Sequence, residues 1–261
     1  MSTPAPVDRP TTYAIIGAGN NGTALARTFA RAAIACSIAN SRGPDSLRPL
    51  VDELGDTIVA KSLEAALDAD IVVLAIPFAA VEDFAQIPYD WSGKIVIDAT
   101  NAHGVTVEYM AGRLSSDIVA DVLSGALVVK AFNYLPAYVL ARDPSQNGGH
   151  RVMFIAGNHE EANATVVALA ERLGFAPILL GRIDEGGRLV HIPGPLVLHN
   201  LVEYPLNAEH LWNQMLTRYP MEGPRTLVLA KVMSAAGAIV GAKGNSWTKS
   251  AIRCDPRERP S

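Results

Sequence analysis

The chain has 261 residues, of which 49% are hydrophobic and 18% charged, and its mean hydropathy is +0.18. This composition is typical of a folded globular protein and excludes a largely disordered one. The formal net charge is −4, and the sequence contains no dense cluster of Lys and Arg, which argues against a nucleic-acid-binding surface.

Short apolar runs alternate with helical patterns from Tyr13 to about Leu180. Their Val, Ile and Leu content, without strict alternation, is typical of strands that are buried on both faces of a parallel sheet. The predicted strands are residues 13–17, 35–40, 57–60, 71–77, 94–100, 127–132, 151–157 and 177–181. The predicted helices are residues 21–33, 45–54, 62–67, 80–85, 107–114 and 160–173, with Ser62 and Asn158 as helix caps.

This order of elements predicts an α/β fold, a Rossmann-type doubly wound and mainly parallel sheet with a small, mostly helical C-terminal domain. We expect a flexible tail over residues 1–10, an NADP-binding domain over 11–181 and a helical substrate or dimer domain over 182–261. The first residues lack the apolar stretch of a signal peptide, so we expect a cytoplasmic protein. The apolar segment that begins at Thr226 is interrupted by Lys231 and Lys243, so we expect no membrane span.

Three glycines, Gly17, Gly19 and Gly22, form the pattern GxGxxG between the first predicted strand and the first predicted helix. In that context the first glycine permits a tight turn, the second lets the backbone approach a pyrophosphate, and the third allows close packing of helix on strand. The free N–H groups at the start of the helix then face the anion. The pattern predicts a dinucleotide site.

The end of the second predicted strand distinguishes the two nicotinamide dinucleotides. An acidic residue there would accept the ribose 2'-hydroxyl of NAD, but this chain has Ser41 and Arg42 instead. A hydroxyl and a guanidinium can both donate to a 2'-phosphate. We therefore predict NADP(H) as the cofactor, whereas an Arg42 that merely lies in a solvated turn is the alternative.

Two further strand ends carry candidate site residues. Ala75, Ile76 and Pro77 close the fourth strand at the carboxyl edge, where doubly wound sheets bind ligands. The fifth strand is followed by Asn101, whose amide can both donate to and accept from a nicotinamide carboxamide. Asp98 is expected to bond to nearby backbone as a structural group.

Seven segments occur in the order seen in one protein family: GAGNNGTALARTFA, ANSRGPDSL, LAIPFAAV, IDATNA, VVKAFN, FIAGNHEEANATVVALAERLGF and EGGRL. Through them, residues 13–189 resemble the NADPH-dependent coenzyme F420 reductases. They also look like the nucleotide domain of the mammalian ferric reductases of the prostate six-transmembrane epithelial antigen group. The resemblance implies a Rossmann domain that binds NADPH and a cleft in which a flavin-like ring lies against the nicotinamide.

The resemblance also implies roles for individual residues. It assigns the glycine loop to the pyrophosphate, Ser41 and Arg42 to the 2'-phosphate, Asn101 to the nicotinamide, and the segment around Phe132 to the second ring. The full predicted cofactor site comprises Gly17, Ala18, Gly19, Asn20, Asn21, Gly22, Asn40, Ser41, Arg42, Ala75, Ile76, Pro77, Asn101, Ala131 and Asn133.

The expected reaction is hydride transfer between NADP(H) and a flavin-like or deazaflavin acceptor, which needs no obligatory acid or base. Two alternatives stay open: a reductase of a small carbonyl or imine, and a non-catalytic NADPH-binding sensor or interaction module. A carbonyl or imine would need a proton donor, for which His103, Lys130, Tyr134 and His191 are candidates.

No metal site is expected. His191, His199 and Glu203 have suggestive spacing, but the sequence contains neither HExxH nor CxxC. We expect a homodimer, because the Ala- and Gly-rich C-terminal segment is of the kind that twofold dimers bury.

Overall fold

The computed structural model describes residues 10–146 and 148–203, and these residues form a mainly parallel sheet flanked by helices. The main path of the sheet runs β10-β8-β6-β5-β4-β1-β2-β3, and β7 and β9 pair with β8 beside it. The ten strands are β1 (Tyr13–Ile16), β2 (Cys36–Ala39), β3 (Ile58–Ala60), β4 (Ile71–Leu74), β5 (Ile95–Asp98), β6 (Leu127–Lys130), β7 (Ser145–Gln146), β8 (Gly149–Gly157), β9 (Ala176–Leu179) and β10 (Val202–Glu203).

Helices follow most of the strands. They are α1 (Asn20–Arg31), α2 (Arg48–Leu54), α3 (Leu63–Leu67), α4 (Val81–Ala85), α5 (Val107–Met110), α6 (Ser115–Val122), α7 (Ala137–Leu140) and α8 (Glu160–Arg172). Three 3-10 turns cover Pro44–Leu47, Phe78–Ala80 and Gly186–Leu189. Within the described residues, no helix combines the length and the apolarity needed to cross a bilayer.

The sheet is buried on both faces because successive side chains of each strand enter opposite cores. In β1, Tyr13 and Ile15 join the core under α1 and α8, whereas Ala14 and Ile16 join the core under α3, α4 and α6. This arrangement confirms the predicted doubly wound α/β class. It also explains why the strands read as continuous apolar runs.

The predicted elements agree with the structure except at a few ends. Ser62 caps α3 as predicted, its Oγ accepting the Ala65 N–H at 3.2 Å. Asn158 does not cap α8, because its Oδ1 accepts the Ile183 N–H at 3.1 Å and His159 occupies the cap position. The predicted helix over 107–114 was too long, since the chain turns into left-handed backbone at Ala111 (φ 46°).

Beyond the parallel strands, β8 runs antiparallel to β6 and carries β10 on its other side. The stretch from Ile183 to Val190 packs into the same unit, with both of these side chains buried in its cores. Residues 1–9 of the predicted tail (1–10), and the part of the predicted C-terminal domain (182–261) from Tyr204 onward, lie outside the described residues.

Candidate functional site

The strand order changes direction at β1, which pairs with β2 on one side and with β4 on the other. In a doubly wound sheet the crevice for a ligand opens at such a point, beyond the carboxyl ends of the strands. The Gly17 N–H donates to the Ala39 carbonyl at 2.8 Å, and the Ala75 N–H donates to the Ile16 carbonyl at 2.8 Å. The loops after β1, β2 and β4 are thus hydrogen-bonded at one edge.

The three glycines of the loop are required for different reasons. Gly17 has φ 107°, and a Cβ there would overlap the Ala75 carbonyl oxygen. A Cβ on Gly22 would overlap the Gly17 carbonyl oxygen, so helix and strand could not pack as they do. Gly19 is exposed, and a Cβ added to it would meet no protein atom within 4 Å. The protein itself gives no steric reason for glycine at position 19, whereas a ligand lying over the loop would.

The first turn of α1 is open to an anion. Gly19 is the cap residue, no side chain caps the turn, and the turn contains no acidic residue. The hydrogen bond from the Thr23 N–H to the Gly19 carbonyl, at 2.9 Å, marks the first turn of the helix. The amides of the first turn precede the intrahelical ladder, and together with the helix dipole they favour a negatively charged group. These features fit the predicted pyrophosphate position.

Asn21 has a different role from the one that its place in the loop suggests. Its Nδ2 donates to the Ala99 carbonyl at 3.3 Å and to the Phe132 carbonyl at 3.2 Å. The side chain therefore joins the loop after β1 to the loops after β5 and β6, while the Asn21 backbone remains at the helix start. The neighbouring Asn20 is exposed, and Ala18 is half-buried.

The loop after β6 adopts unusual backbone at Phe132, whose φ is 59°. Left-handed backbone costs free energy for a bulky residue and persists where its surroundings hold it in place. Here Asn21 holds the Phe132 carbonyl, and the buried Phe132 ring packs edge-on against Phe175 with 6.0 Å between centroids. Ala131 is also fully buried, so the structure does not bring either side chain to the open edge.

The loop after β2 is exposed and basic. The Asn40 side chain organises it, accepting the Arg42 N–H at 2.9 Å and donating to Ser46 Oγ at 3.0 Å. Ser41 and Arg42 are both exposed, and among the described residues no carboxylate forms an ion pair with the Arg42 guanidinium.

At the end of β4, Ala75 is buried, Ile76 half-buried and Pro77 exposed.

A buried ion pair lies where β5 and β6 end. Asp98 and Lys130 are register partners on the two strands, and neither side chain is exposed to solvent. Lys130 Nζ donates to Asp98 Oδ2 at 3.0 Å and to the Thr100 carbonyl at 2.7 Å. Asp98 Oδ1 accepts the Thr100 N–H at 2.9 Å and the Thr100 hydroxyl at 2.6 Å. The pair fixes the turn that leads to Asn101.

Burial and pairing act in opposite directions on these charges. Burial disfavours the Asp98 carboxylate, but Lys130 and the hydroxyls of Ser116 and Thr100 outweigh it and lower the pKa of Asp98. Burial lowers the pKa of Lys130, and the attraction to Asp98 opposes that shift. The prediction that Asp98 is structural agrees with these contacts.

His191 is part of the same buried group. Its Nε2 lies 3.2 Å from Ser116 Oγ, which donates to Asp98 Oδ2 at 2.6 Å, and its Nδ1 donates to the Gly187 carbonyl at 2.6 Å. Burial, together with the positive charge of Lys130, lowers the pKa of His191 to about 4. His191 is therefore neutral at pH 7.

Asn101 is held by two hydrogen bonds to Asn133, one to its backbone carbonyl and one from its side-chain amide. Asn101 Nδ2 donates to the Asn133 carbonyl at 2.7 Å, and Asn133 Nδ2 donates to Asn101 Oδ1 at 2.9 Å. Asn133 Nδ2 also donates to the Val190 carbonyl at 2.8 Å. Asn101 is half-buried, whereas Asn133 is only 5% exposed.

Within residues 10–146 and 148–203, no group of three or more His, Cys, Asp and Glu side chains is arranged to hold a metal ion. His199 and Glu203 are exposed, and His191 is committed to Ser116 and Gly187. The expectation that the protein has no metal site stays a prediction.

The sheet order, the glycine turn and the open helix start together define a Rossmann-type nucleotide-binding protein. Residues 12–102 match the model of the family described as NADP oxidoreductase, coenzyme F420-dependent. Over these residues the chain is similar to the NADP-dependent oxidoreductases that the family comprises.

The chain is also similar to curated proteins and to solved structures. Metalloreductase STEAP3 of Rattus norvegicus is 26% identical over 180 residues, which are 69% of this chain and 36% of that protein. The chain thus spans about a third of the length of the curated relatives it matches.

A hypothetical protein of Sinorhizobium meliloti is 47% identical, with a TM-score of 0.70 over 74% of this chain and 96% of that one. A candidate F420-dependent NADP reductase of Arthrobacter has 23% identity and a TM-score of 0.57, covering 67% of this chain and 86% of that one, and shares the fold.

Sequence reasoning missed the contacts that organise the site. The pairing of Asp98 with Lys130 could have been found, because IVID and LVVK are adjacent predicted strands with a charge at the same position. The bond from Asn133 to Val190 spans 57 residues, and the one from Ser116 to His191 spans 75. No local pattern in the sequence indicates either of them.

Proposed function

We propose that the protein is an NADPH-dependent oxidoreductase that transfers a hydride between NADP(H) and a flavin-like or deazaflavin acceptor. The observation that carries the proposal is the combination, at one edge of the sheet, of an uncapped helix start, open space over Gly19 and an exposed guanidinium at Arg42. The first two suit a pyrophosphate, and the third suits a 2'-phosphate.

The preference for NADP(H) over NAD(H) follows from the loop after β2. Asn40 fixes the loop backbone through the Arg42 N–H, and the exposed Arg42 side chain forms no ion pair with a carboxylate in the described part of the chain. Ser41, also exposed, supplies a hydroxyl next to it. A guanidinium gains a charge-assisted bond from a 2'-phosphate that a 2'-hydroxyl cannot offer.

The choice of acceptor rests on how the ionisable groups near the edge are used. Lys130 is paired with Asp98, and the Tyr134 hydroxyl donates to the Val152 carbonyl at 2.5 Å. Burial raises the pKa of Tyr134, and burial lowers that of His191. Three of the four candidate proton donors are thus buried and engaged within the protein, which favours a reaction that needs no side-chain acid.

When bound, NADPH would supply the hydride. The role of the chain is then to bind, to orient and to exclude water. The first turn of α1 and Arg42 would bind the two phosphate groups, and Asn101 would orient the nicotinamide. Because Asn21 and the Asp98–Lys130 pair tie the loops after β1, β5 and β6 together, the first turn of α1 and Asn101 are held in place before any ligand arrives.

The test is an acceptor screen in which the oxidation of NADPH is followed spectroscopically. FMN, FAD, a deazaflavin, a quinone, a ferric chelate and a small carbonyl with and without an amine are compared. We expect turnover with a flavin-like ring and a lower KM for NADPH than for NADH. Turnover with the carbonyl alone would favour the small-substrate reductase, in which case the exposed His103 becomes the first proton donor to substitute. NADPH binding without oxidation by any acceptor would favour a sensor.

We also propose that the protein forms a homodimer. The apolar segment on which this rests, from Thr226, lies outside the described residues. Light scattering at micromolar concentration is expected to give twice the chain mass of 27.7 kDa, and a monomer would contradict the proposal.

A further inference from the structure

We infer that Asn133 is a positioning residue that fixes the amide orientation of Asn101 and so determines how the nicotinamide ring is presented. This inference rests on the proposed function, because it assigns a role within the same NADP(H) site. Neither residue is required to exchange a proton or to touch the acceptor.

The first step is that the protein fixes the orientation of the Asn101 amide, that is, the positions of its oxygen and its nitrogen. Asn133 offers its backbone carbonyl to Asn101 Nδ2 at 2.7 Å and its side-chain N–H to Asn101 Oδ1 at 2.9 Å. A rotation of the Asn101 amide by half a turn would oppose donor to donor and acceptor to acceptor. Only one orientation of Asn101 is therefore compatible with this partner.

The second step is that the pair leaves Asn101 with capacity to bind. An amide has two N–H donors and an oxygen with two lone pairs, and Asn133 uses one of each. Asn101 is half-buried, so the residue is partly exposed to solvent, and one N–H and one lone pair of its amide are not used by Asn133. A carboxamide is complementary to such a fixed pair in one orientation, which selects one face of the ring that carries it.

The third step is that Asn133 is itself fixed, at a cost to the protein. Both Nδ2 protons are used, one on Asn101 Oδ1 and the other on the Val190 carbonyl. Its Oδ1 is buried without a hydrogen-bond partner in the part of the chain described. Such an unpaired buried acceptor destabilises a folded protein. The hydrogen bonds that Asn133 Nδ2 donates, and not the stability of the core, therefore explain why an asparagine stands at this position.

The fourth step is that the Val190 carbonyl is anchored in turn. The next residue, His191, contacts Ser116 Oγ at 3.2 Å and the Gly187 carbonyl at 2.6 Å. The opposite side of Asn101 is anchored through Thr100 to the Asp98–Lys130 pair. The hydrogen bonds between Asn101 and Asn133 are therefore anchored on both sides in one buried group, that of Asp98, Lys130, Ser116 and His191.

The experiment compares Asn133→Ala with a matched control, Asn163→Ala. Asn163 is an equally buried asparagine, 5% exposed, that donates to the Gly157 carbonyl and also has an unpartnered Oδ1, but it lies on α8. Each full-length variant is titrated with NADPH and with 2',5'-ADP, which has the 2'-phosphate but no nicotinamide. A loss of affinity that is confined to NADPH shows that the variant affects the binding of the nicotinamide half of the cofactor alone.

We expect Asn133→Ala to lower the affinity for NADPH about tenfold and to change the affinity for 2',5'-ADP by less than about twofold. Asn163→Ala is expected to leave the ratio of the two affinities unchanged. With an acceptor in turnover, Asn133→Ala should also transfer deuterium from both faces of 4-deuterated NADPH, whereas the wild type uses one face.

Equal losses for NADPH and 2',5'-ADP in Asn133→Ala, or an unchanged NADPH affinity, would overturn the inference and leave the proposed function standing. A wild-type chain that binds neither ligand would overturn the proposed function itself. Should Asn133→Ala fail to fold, Asn133→Asp supplies the same comparison, since it removes the side-chain N–H that Asn101 Oδ1 accepts.

Discussion

Gly19→Ala separates a ligand-binding requirement from a folding requirement within one short loop. Gly19 has ordinary backbone angles, φ −79° and ψ −167°, and an added Cβ would meet no protein atom within 4 Å. The substitution weakens the cap of α1 and also restricts the unfolded chain, and these effects oppose one another. We expect the free energy of unfolding to change by less than about 1 kcal/mol.

The same methyl group would occupy the space over the first turn of α1 in which the pyrophosphate is proposed to lie. Displacing a diphosphate from close backbone contact costs about 1–3 kcal/mol, which corresponds to a loss of NADPH affinity of about fivefold to 150-fold. Gly22→Ala is the contrasting variant, because its Cβ would overlap the Gly17 carbonyl oxygen. Gly22→Ala should lower the free energy of unfolding by about 1–3 kcal/mol or more.

Both quantities are measurable on the same preparations, by urea denaturation and by titration of NADPH fluorescence. A Gly19→Ala variant that is as stable as the wild type and binds NADPH within about twofold of it would refute the assignment of the loop to the pyrophosphate. A Gly19→Ala variant that unfolds as readily as Gly22→Ala would refute the steric argument.

Three further predictions test other parts of the site. Arg42→Ala should weaken the binding of NADPH by about tenfold to a hundredfold and leave the binding of NADH unchanged. The ratio of the KM values for the two cofactors measures this effect. His191 has its folded pKa lowered to about 4 from 6.5, so its contribution to stability is present above pH 6.5 and is lost as the pH falls toward 4. Denaturation at the two pH values should reveal up to about 3 kcal/mol of acid sensitivity that His191→Gln removes. Lys130→Met should cost about 3–5 kcal/mol because it leaves the buried Asp98 charge unpaired, and adding Asp98→Asn should recover much of that loss.

Each of these predictions has a control or a result that would contradict it. His103 is exposed, so His103→Gln should keep the full acid sensitivity of the wild type. An equal slope of stability against pH in the wild type and in His191→Gln would contradict the account of His191. An Arg42→Ala variant that loses NADPH and NADH affinity equally would show that Arg42 supports the loop and does not read the 2'-phosphate.

Local chemistry explains which parts of the fold were predictable. The glycine loop, the Ser62 cap and the buried strands follow from turn geometry, capping and apolar runs within a few residues of each other. α6 escaped prediction because Ser115–Val122 is short and opens with three polar residues after a glycine turn. Asn158 was assigned to the wrong partner because the competing amide, Ile183, is distant in sequence.

The site was predictable at its rim and not in its interior. Arg42 and Asn101 follow strands, and the carboxyl ends of neighbouring parallel strands meet at one edge. Asn21 was assigned to the phosphate loop, but its side chain reaches Ala99 and Phe132, which are 78 and 111 residues away. Ala131 was predicted to border the second ring and is fully buried, so that contact stays a prediction without structural support.

The most direct test of the central claim follows the hydride itself. Stereospecifically 4-deuterated NADPH is oxidised by the protein in the presence of a deazaflavin, whose ring accepts the hydride at carbon and retains the label. The account predicts deuterium in the reduced deazaflavin from one of the two labelled forms and not from the other. Oxidation of NADPH with no deuterium in the ring, or no oxidation by any flavin-like acceptor while a small carbonyl becomes labelled, would contradict it.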